Sequence, residues 1–251
     1  MLEQADGVLN QILVGDCLEL MKRIPSNSVD MVLCDLPYGT TKCKWDTIIP
    51  FEALWEEWYR VSKLNAPFVL TASQPFTSIM IASNLKHYKY NWVWEKSKST
   101  GYLNAKRMPM KAHEDVCVFY RKPPIYNPQM VQGTPYYKGS AHRPTAVYGA
   151  QKEVLVENKT GLRYPRTVQY FKTAESEGKV IHPTQKPVSL FEYLLKTYTN
   201  EGDTVLDNCI GSGTTAIAAL KSNRNFIGME KDPTYARDCM DRINKFKEEN
   251  L

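Results

Sequence analysis

The chain has 251 residues, of which 43% are hydrophobic and 24% are charged, which fits one large domain or a domain with an insertion and excludes disorder throughout. Its net charge of +5 is unevenly distributed: residues 96–180 hold 15 Lys or Arg and six acidic residues, a balance of +9, which leaves −4 for the rest of the chain. A polyanionic partner is therefore favoured over an ordinary solvated basic surface. No apolar run approaches the roughly 18–20 residues that span a bilayer, and the acidic N-terminus lacks a secretory pattern, so we expect a cytoplasmic protein with no membrane partner.

Short apolar runs alternate with longer amphipathic stretches along the chain. Runs rich in β-branched or aromatic residues predict strands at 12–14, 29–34, 67–71, 91–94, 116–120, 204–206 and 226–229. Helical spacing predicts helices over 51–63, 75–86, 188–198 and 214–221, and a last helix begins at Asp232-Pro233, a capping residue before a first-turn proline. This alternation indicates an α/β fold with a doubly wound, mostly parallel sheet, in which ligands bind at the carboxyl ends of strands.

Residues 121–180 interrupt this alternation. They hold 6 of the 15 prolines and 5 of the 13 glycines, together with ten basic and four acidic residues, and they show no regular period. We therefore predict an irregular basic insertion there, between residues 1–120 and 181–251, which form the two halves of one domain.

The six cysteines give no sign of a disulfide framework or a metal site. None forms a CxxC pair, and several lie inside apolar runs. Buried, reduced thiols are the expected state, and no metal is predicted.

A glycine-rich turn follows the strand predicted at 204–206. Gly211 and Gly213 lie between that strand and a helix, where the missing side chains let a ligand approach the backbone. Ala216 breaks the spacing of the dinucleotide fingerprint, and no Walker A lysine follows. One strand later, Glu230 places a carboxylate where it could accept hydrogen bonds from both hydroxyls of a ribose, which together with the turn predicts nucleoside binding rather than a plain tight loop.

A second motif follows the strand predicted at 29–34. Asp35, Leu36, Pro37 and Tyr38 leave the sheet in an extended conformation, because proline disfavours a helix at the preceding residue. They present a carboxylate, a free backbone carbonyl and an aromatic face, which match the exocyclic amine of a planar base; a plain strand-to-turn exit is the alternative.

The Asp-Leu-Pro-Tyr sequence resembles the catalytic motif of S-adenosylmethionine-dependent DNA amino-methyltransferases. The glycine turn resembles their cofactor loop, and residues 181–187 resemble the segment that precedes that loop. The order catalytic motif, variable segment, cofactor loop is that of the circularly permuted β group. The resemblance implies a Rossmann-like methyltransferase fold, with target recognition in 121–180. Leu36 departs from the usual proline but keeps the backbone carbonyl, and an aspartate at position 35 favours adenine over cytosine.

The resemblance also implies a role for each matching residue. Asp35 and the Leu36 carbonyl would accept N–H bonds from the target amine, and Tyr38 would stack on a base that has rotated out of the duplex. The cofactor S-adenosylmethionine would be surrounded by Asp16, Cys17, Asp35, His182, Thr184, Lys186, Asp207, Gly211, Gly213, Thr214 and Glu230. Asp16 has a structural alternative, since it could simply cap the helix that follows it.

Basic residues supply the candidate contacts to double-stranded DNA. Those expected to touch phosphates are Lys96, Lys98, Lys106, Arg107 and Lys111. Those in the variable segment, some of which could read bases, are Arg121, Lys122, Arg143, Arg163 and Arg166. A solvated surface is the alternative for each. A homodimer and a cognate restriction enzyme are further partners that the resemblance allows.

We therefore expect a site-specific DNA methyltransferase that acts on adenine N6. Cytosine N4 is the closest alternative. Methylation of RNA or of a protein glutamine, and a cofactor-binding nucleic-acid regulator without turnover, are more distant ones.

Overall fold

A computed structural model describes residues 7–41, 43, 46–141 and 154–250. The chain divides into two compact units. The larger comprises residues 1–127 and 167–251, and the smaller comprises Pro128–Arg166.

The larger unit is built on one eight-stranded sheet. Its strands are β1 (Gln11–Val14), β2 (Met31–Asp35), β3 (Pro67–Ala72), β4 (Tyr88–Thr100), β5 (Lys111–Tyr120), β10 (Val168–Phe171), β11 (Thr204–Asp207) and β12 (Asn225–Glu230). Their order across the sheet is β1-β12-β11-β2-β3-β5-β4-β10. Among these strands only β5 runs antiparallel to its neighbours, so the carboxyl ends of the other seven meet at one edge. We call this the carboxyl edge.

Helices cover both faces of this sheet. They are α1 (Cys17–Met21), α2 (Phe51–Val61), α3 (Phe76–Ser83), α4 (Val188–Tyr198), α5 (Thr214–Lys221) and α6 (Pro233–Asn250). The first three pack on one face and the last three on the other, giving two apolar cores separated by the sheet. Strand β2 lies between them with its first four residues fully buried, which is why its sequence is a continuous apolar run.

The smaller unit contains two short antiparallel pairs. Strand β6 (Val131–Gln132) pairs with β9 (Leu162–Arg163), and β7 (Tyr136–Ala141) pairs with β8 (Val154–Asn158). Gly161 makes the first pairing feasible, because its φ is +78° and a Cβ atom there would lie 2.1 Å from the Gly133 carbonyl oxygen.

The α/β fold and the mostly parallel sheet agree with the sequence prediction, and the seven predicted strands and five predicted helices match elements of the structure. The main differences concern extent. Strands β4 and β5 are longer than predicted, and the separate unit is narrower than residues 121–180, because β10 returns to pair with β4 at the edge of the main sheet. A four-residue edge strand that pairs on one side only carries too weak a pattern to be identified locally.

None of the helices described is long and apolar enough to cross a membrane. All six cysteines are free thiols, and Cys43 is the exposed one. Within the ranges described, no three His, Cys, Asp or Glu side chains are grouped to hold a metal ion.

A buried hydrogen bond connects helix α2 to the turn after β11. The indole nitrogen of Trp58 donates to Asn208 Oδ1 at 2.9 Å, and Trp58 is fully buried. We expect Trp58→Phe to lower the free energy of unfolding by about 1–3 kcal/mol, because it leaves a buried amide oxygen unpaired. Urea denaturation would measure this loss.

Trp55→Phe is the matched control for that substitution. The Trp55 indole donates to Ser83 Oγ at 2.9 Å in a partly exposed setting, where water can replace it. Equal losses for the two variants would contradict a special role for the Asn208 hydrogen bond.

Candidate active site

A cavity of about 920 Å³ opens at the carboxyl edge of the sheet. Its lining comes from the ends of β1, β2, β11 and β12, from residues 182–186, and from the facing parts of β4 and β5. Both predicted motifs line it: Asp35–Tyr38 on one side, and the glycine turn with Glu230 on the other. A volume near the upper end of the range for small-molecule sites leaves room for a nucleoside cofactor and for part of a second ligand.

Asp35 ends strand β2, and its carboxylate accepts three side-chain hydrogen bonds at the cavity wall. Its Oδ1 accepts from the hydroxyls of Tyr38, at 2.8 Å, and Thr71. Its Oδ2 accepts from the Lys186 ammonium at 2.6 Å. These three donors fix the orientation of the Asp35 side chain at the carboxyl end of strand β2.

Lys186 belongs to a buried chain of alternating charges. Its side chain is 7% exposed, and its ammonium also lies 3.5 Å from Glu114, which in turn pairs with Lys96. Burial would raise the pKa of Glu114, but the charges of Lys186 and Lys96 outweigh it and lower that pKa. Burial would likewise lower the pKa of Lys186, while Asp35 and Glu114 raise it. Asp35 and Lys96, together with the attraction between Lys186 and Glu114 themselves, therefore keep both Lys186 and Glu114 charged at neutral pH.

Tyr38 is held from two sides. Its ring stacks on Phe76 with centroids 5.0 Å apart and planes inclined by 23°. Burial, followed by the charge of Asp35, raises the pKa of Tyr38 well above its ordinary value. The hydroxyl therefore stays protonated and donates a hydrogen bond to Asp35. One flat side of the ring is thus occupied by Phe76.

The turn after Tyr38 is anchored by Asp46. The Asp46 carboxylate accepts from the backbone amides of Gly39, Thr40 and Thr41 at 2.7–2.9 Å. Burial opposes ionisation of Asp46, yet these amide hydrogen bonds lower its pKa. A charged anchor therefore fixes the loop that carries the tyrosine.

The glycine turn has the backbone that its residues predict. Gly211 and Gly213 have φ of +50° and +81°, and a Cβ atom at Gly213 would lie 2.7 Å from the Cys239 sulfur. Thr214 begins helix α5 and donates to the Lys186 carbonyl at 3.0 Å, which ties the turn to residues 182–186. His182 packs beside Gly211 with its ring against Tyr235, and Thr184 hydrogen-bonds to His182 Nδ1.

Asp207 ends strand β11 beneath this turn. It accepts from the Cys209 amide at 3.1 Å and from the Thr215 hydroxyl, and it is 3% exposed. Burial raises its pKa to about 7, although those hydrogen bonds act in the opposite direction. Asp207 is therefore a buried acid without a cationic partner among its hydrogen bonds.

Glu230 ends strand β12, and Asp16 follows the end of strand β1. Glu230 accepts from the amides of Gly211 at 3.0 Å and Asp232 at 2.9 Å, and burial still raises its pKa. Asp16 caps helix α1 by accepting from the Leu18 amide, and its other oxygen lies 3.2 Å from the Lys231 ammonium. Cys17 is buried next to it and lines the same cavity. The capping alternative for Asp16 is thus realised, and Asp16 faces the cavity as well.

The cavity has the hydrogen-bond acceptors and the negative charge that a cationic nucleoside needs. Carboxylates lie at or just beyond the ends of β1, β2, β11 and β12, and Gly211 lines the cavity between them, whereas the predicted Gly213 packs against Cys239 and does not line it. Carboxylates suit ribose hydroxyls and a nearby positive charge, and the glycine turn lets a ligand approach the backbone because Gly211 has no side chain. The residues present therefore fit S-adenosylmethionine, whose sulfonium is positive.

The predicted DNA-binding residues are placed in different environments. Lys98, Lys106, Arg107, Lys111 and Lys122 are exposed. By contrast, Lys96 is buried against Glu114, and Arg121 donates to the carbonyls of Tyr59, Ser62 and Lys63. These two cations have internal partners in this structure. In the smaller unit Arg163 and Arg166 are exposed, whereas Arg143 lies outside the described residues.

Two groups in the site were not given a role from sequence. Glu114 pairs with Lys186, which is distant in the sequence, and Asp46 anchors the backbone of the preceding loop. The available signal was a carboxylate just before an apolar run, for Glu114, and a carboxylate a few residues after a glycine turn, for Asp46. Neither signal specifies which groups the side chain contacts.

Comparison with known proteins gives a consistent result. The family model described as DNA methylase matches residues 29–241, most of the chain. The chain is 26% identical to the Type II methyltransferase M1.MboII of Moraxella bovis, over 95% of this chain and 98% of that protein. It is 25% identical to the Type II methyltransferase M.HpaI of Haemophilus parainfluenzae, over 93% of this chain and 74% of that protein.

Solved structures show the same fold. The M1.HpyAVI–SAM complex is similar with a TM-score of 0.64 and 22% identity, covering 93% of this chain and 98% of that one. The cytosine-N4-specific PvuII DNA methyltransferase is similar with a TM-score of 0.64 and 15% identity, covering 95% of this chain and 90% of that one.

The raised pKa of Asp207 predicts a pH-dependent stability. An aspartate with an ordinary pKa of 3.8 ionises in the unfolded chain as the pH rises above 4, while the folded protein holds its proton until about pH 7. The free energy of unfolding therefore falls across this window, and each pKa unit is worth about 1.4 kcal/mol. We expect Asp207→Asn to gain stability relative to the wild type, by a few kcal/mol, between pH 5 and pH 8.

Urea denaturation of both proteins at pH 5, 6, 7 and 8 would measure this difference. Asp203→Asn, at the partly exposed beginning of the same strand, is the control, and its difference from wild type should change much less. A pH-independent difference for Asp207→Asn would mean that Asp207 is ionised in the folded protein throughout.

Proposed function

This chain belongs to the DNA methylase family, and from that premise we propose that it transfers a methyl group from S-adenosylmethionine to the N6 amine of an adenine in double-stranded DNA. The family makes it a methyltransferase that uses this cofactor on DNA. The observation that supports a defined reaction centre is that Asp35–Tyr38 and the glycine turn line one cavity.

Several side chains are placed to hold the cofactor. We assign the ribose hydroxyls to Glu230, whose two amide partners leave further lone pairs for them. Asp16 and Cys17 line the part of the cavity next to that end, where the adenine edge would lie. The methionine portion would be enclosed by Asp207, Gly211, Gly213 and Thr214, with His182, Thr184 and Lys186 on the facing side.

Asp35 can receive the target amine without losing its present partners. A carboxylate offers about four lone-pair positions, and Tyr38, Thr71 and Lys186 use three of them. The fourth, on Oδ2, would accept one N–H of the amine. The Leu36 carbonyl would accept the other, and Pro37 keeps that carbonyl out of a helix.

This arrangement addresses the weakness of the nucleophile. The lone pair of an aromatic amine is delocalised into the ring, and two acceptors on its N–H bonds favour a pyramidal nitrogen. When bound, S-adenosylmethionine supplies the methyl carbon, whose bond to sulfur breaks as the nitrogen lone pair forms the new bond. Asp35 stabilises the positive charge that grows on the nitrogen, whose extra proton then passes to solvent.

Tyr38 provides the stacking surface for the base. Phe76 covers one face of its ring, so a planar base would stack on the opposite face, and the Lys186 ammonium, 5.6 Å from the centroid of that ring, would lie close to it. An adenine within a duplex cannot reach this cavity, so it must rotate out, at a cost of a few kcal/mol. Contacts to phosphates offset this cost, and the exposed Lys98, Lys106 and Arg107 are the best placed of the candidates in the larger unit.

Cytosine N4 is the second candidate for the methylated atom. It is favoured by the similarity of the fold to the cytosine-N4-specific PvuII enzyme. Both amines offer two N–H bonds to the same acceptors, so the preference for adenine rests on the aspartate at position 35. A homodimer and a cognate restriction enzyme belong to the proposal only as partners that such an enzyme can have.

Methyl transfer to DNA tests the reaction and its base together. Duplex DNA of mixed sequence would be incubated with labelled S-adenosylmethionine, digested to nucleosides and analysed by mass spectrometry, and the flanking sequence would be read by single-molecule sequencing. We expect N6-methyldeoxyadenosine. Asp35→Ala should reduce transfer about a hundredfold or more, because the acceptor of the amine is lost.

Asp30→Asn is the matched control, since Asp30 adjoins the amino end of the same strand and pairs with Lys63 at 2.6 Å, away from the cavity. It should keep its activity. N4-methyldeoxycytidine as the product would establish the second candidate. Transfer retained by Asp35→Ala would remove the catalytic assignment, and binding of DNA without transfer would leave a regulator.

A further inference from the structure

An exposed apolar cluster lies at the tip of the β4–β5 hairpin. Residues 101–110 join the two strands, and we call them the hairpin tip. Leu103 is 97% exposed, Tyr102 79% and Met108 58%. None of them belongs to either core of the described chain. Large apolar side chains held this far out of a protein commonly mark a surface that another molecule covers.

The hairpin tip is an ordered turn. Gly101 has a φ of +91° and begins a short 3₁₀ turn at residues 102–104. The Asn104 amide donates to the Gly101 carbonyl at 2.9 Å, and the Met108 amide donates to the Asn104 carbonyl at 3.0 Å. The backbone therefore presents Tyr102 and Leu103 in a fixed arrangement.

The tip also stands beside the reaction cavity. Strand β4 runs in the same direction as β2, so its carboxyl end reaches the carboxyl edge of the sheet. At the base of the tip, Ser99, Thr100 and Lys111 line the cavity that contains Asp35. A molecule that contacts the hairpin tip therefore lies next to a ligand that enters the cavity.

The charge around the tip indicates what that molecule is. Residues 96–112 contain five basic residues and no acidic one. Lys98, Lys106 and Arg107 are exposed on or next to the apolar cluster. A polyanion with apolar surfaces between its charges matches this combination, and duplex DNA has phosphates outside and stacked bases inside.

We propose that the hairpin tip enters the DNA and places Leu103, with Tyr102 beside it, in the space left by the everted base. Apolar side chains inserted in this way replace the lost stacking, while the neighbouring cations hold the flanking phosphates. This inference rests on the proposed function, because it supplies the contact that offsets the cost of eversion. It also explains why the apolar cluster and the basic residues share one loop.

The experiment separates base eversion from binding and from folding. The variants are Tyr102→Ala/Leu103→Ala as a pair, with Leu85→Ala as the control. Leu85 is also exposed, at 69%, but it lies just before β4 and hence at the opposite edge of the sheet. Each protein would be assayed for kcat/KM on two duplexes, one with the target base paired and one with it opposite an abasic site. Fluorescence of 2-aminopurine at the target position would report eversion directly.

We expect the double variant Tyr102→Ala/Leu103→Ala to lose about tenfold or more in kcat/KM on the normal duplex, since part of the cost of unstacking is no longer offset. The abasic duplex should restore most of this loss, because its target base is already unpaired. The fluorescence increase on binding should shrink in parallel. Leu85→Ala should match the wild type on both substrates.

Three results would overturn the inference while leaving the proposed function intact. The first is unchanged activity of the double variant, and the second is an equal loss of its activity on both duplexes. The third is a double variant that changes from dimer to monomer in light scattering but gives the normal 2-aminopurine fluorescence. The last would assign the tip to a second copy of the chain. A wild-type protein that methylates no DNA would overturn the proposed function and this inference together.

Discussion

The ion pair between Asp35 and Lys186 joins the two halves of the methyltransferase domain. The carboxylate ends strand β2, the ammonium comes from the segment before α4, and the two groups are 2.6 Å apart in a largely buried setting. A buried charge is tolerated only when it is paired, so neither side chain can leave without exposing the other to a large desolvation cost. Glu114 and Lys96 extend the alternation of charges and hold Lys186 from its other side.

The pairing has a consequence for the cofactor pocket. Because the Lys186 carbonyl accepts from Thr214 at 3.0 Å, the lysine that binds Asp35 also fixes the first residue of helix α5. The glycine turn immediately precedes that residue, and Glu230 accepts from its Gly211 amide. A continuous set of contacts therefore runs from Asp35, to which we assign the catalytic role, to Glu230, to which we assign the ribose hydroxyls. The family order, with the catalytic motif far before the cofactor loop in sequence, becomes one site through these contacts.

The sequence was sufficient to predict the parts of the site that depend on strand ends. Parallel strands with buried apolar runs bring their carboxyl ends together, so the residues that follow them, Asp35, Asp207 and Glu230, had to meet. Positive φ at Gly211 and Gly213 follows from glycine at a strand-to-helix turn. These predictions needed only local patterns and one general rule of topology.

The rest depends on long-range pairing that local patterns do not encode. A lysine in the sequence gives no sign of whether it meets a phosphate or a carboxylate, and Lys96 has Glu114 as its partner while Lys98, two residues later, is exposed. Arg121 likewise donates to carbonyls of the chain that leaves α2. Strand β10 and the stacking of Tyr38 on Phe76 also arise only once the chain is folded. The most direct test of the central claim is a crystal structure of the protein with a non-reactive analogue of the cofactor and duplex DNA. The account predicts an everted adenine on the face of Tyr38 opposite Phe76, with its amine shared between Asp35 Oδ2 and the Leu36 carbonyl while Lys186 stays on Asp35. A base bound away from residues 35–38, with the Asp35–Lys186 pair turned from the donor carbon, would contradict it.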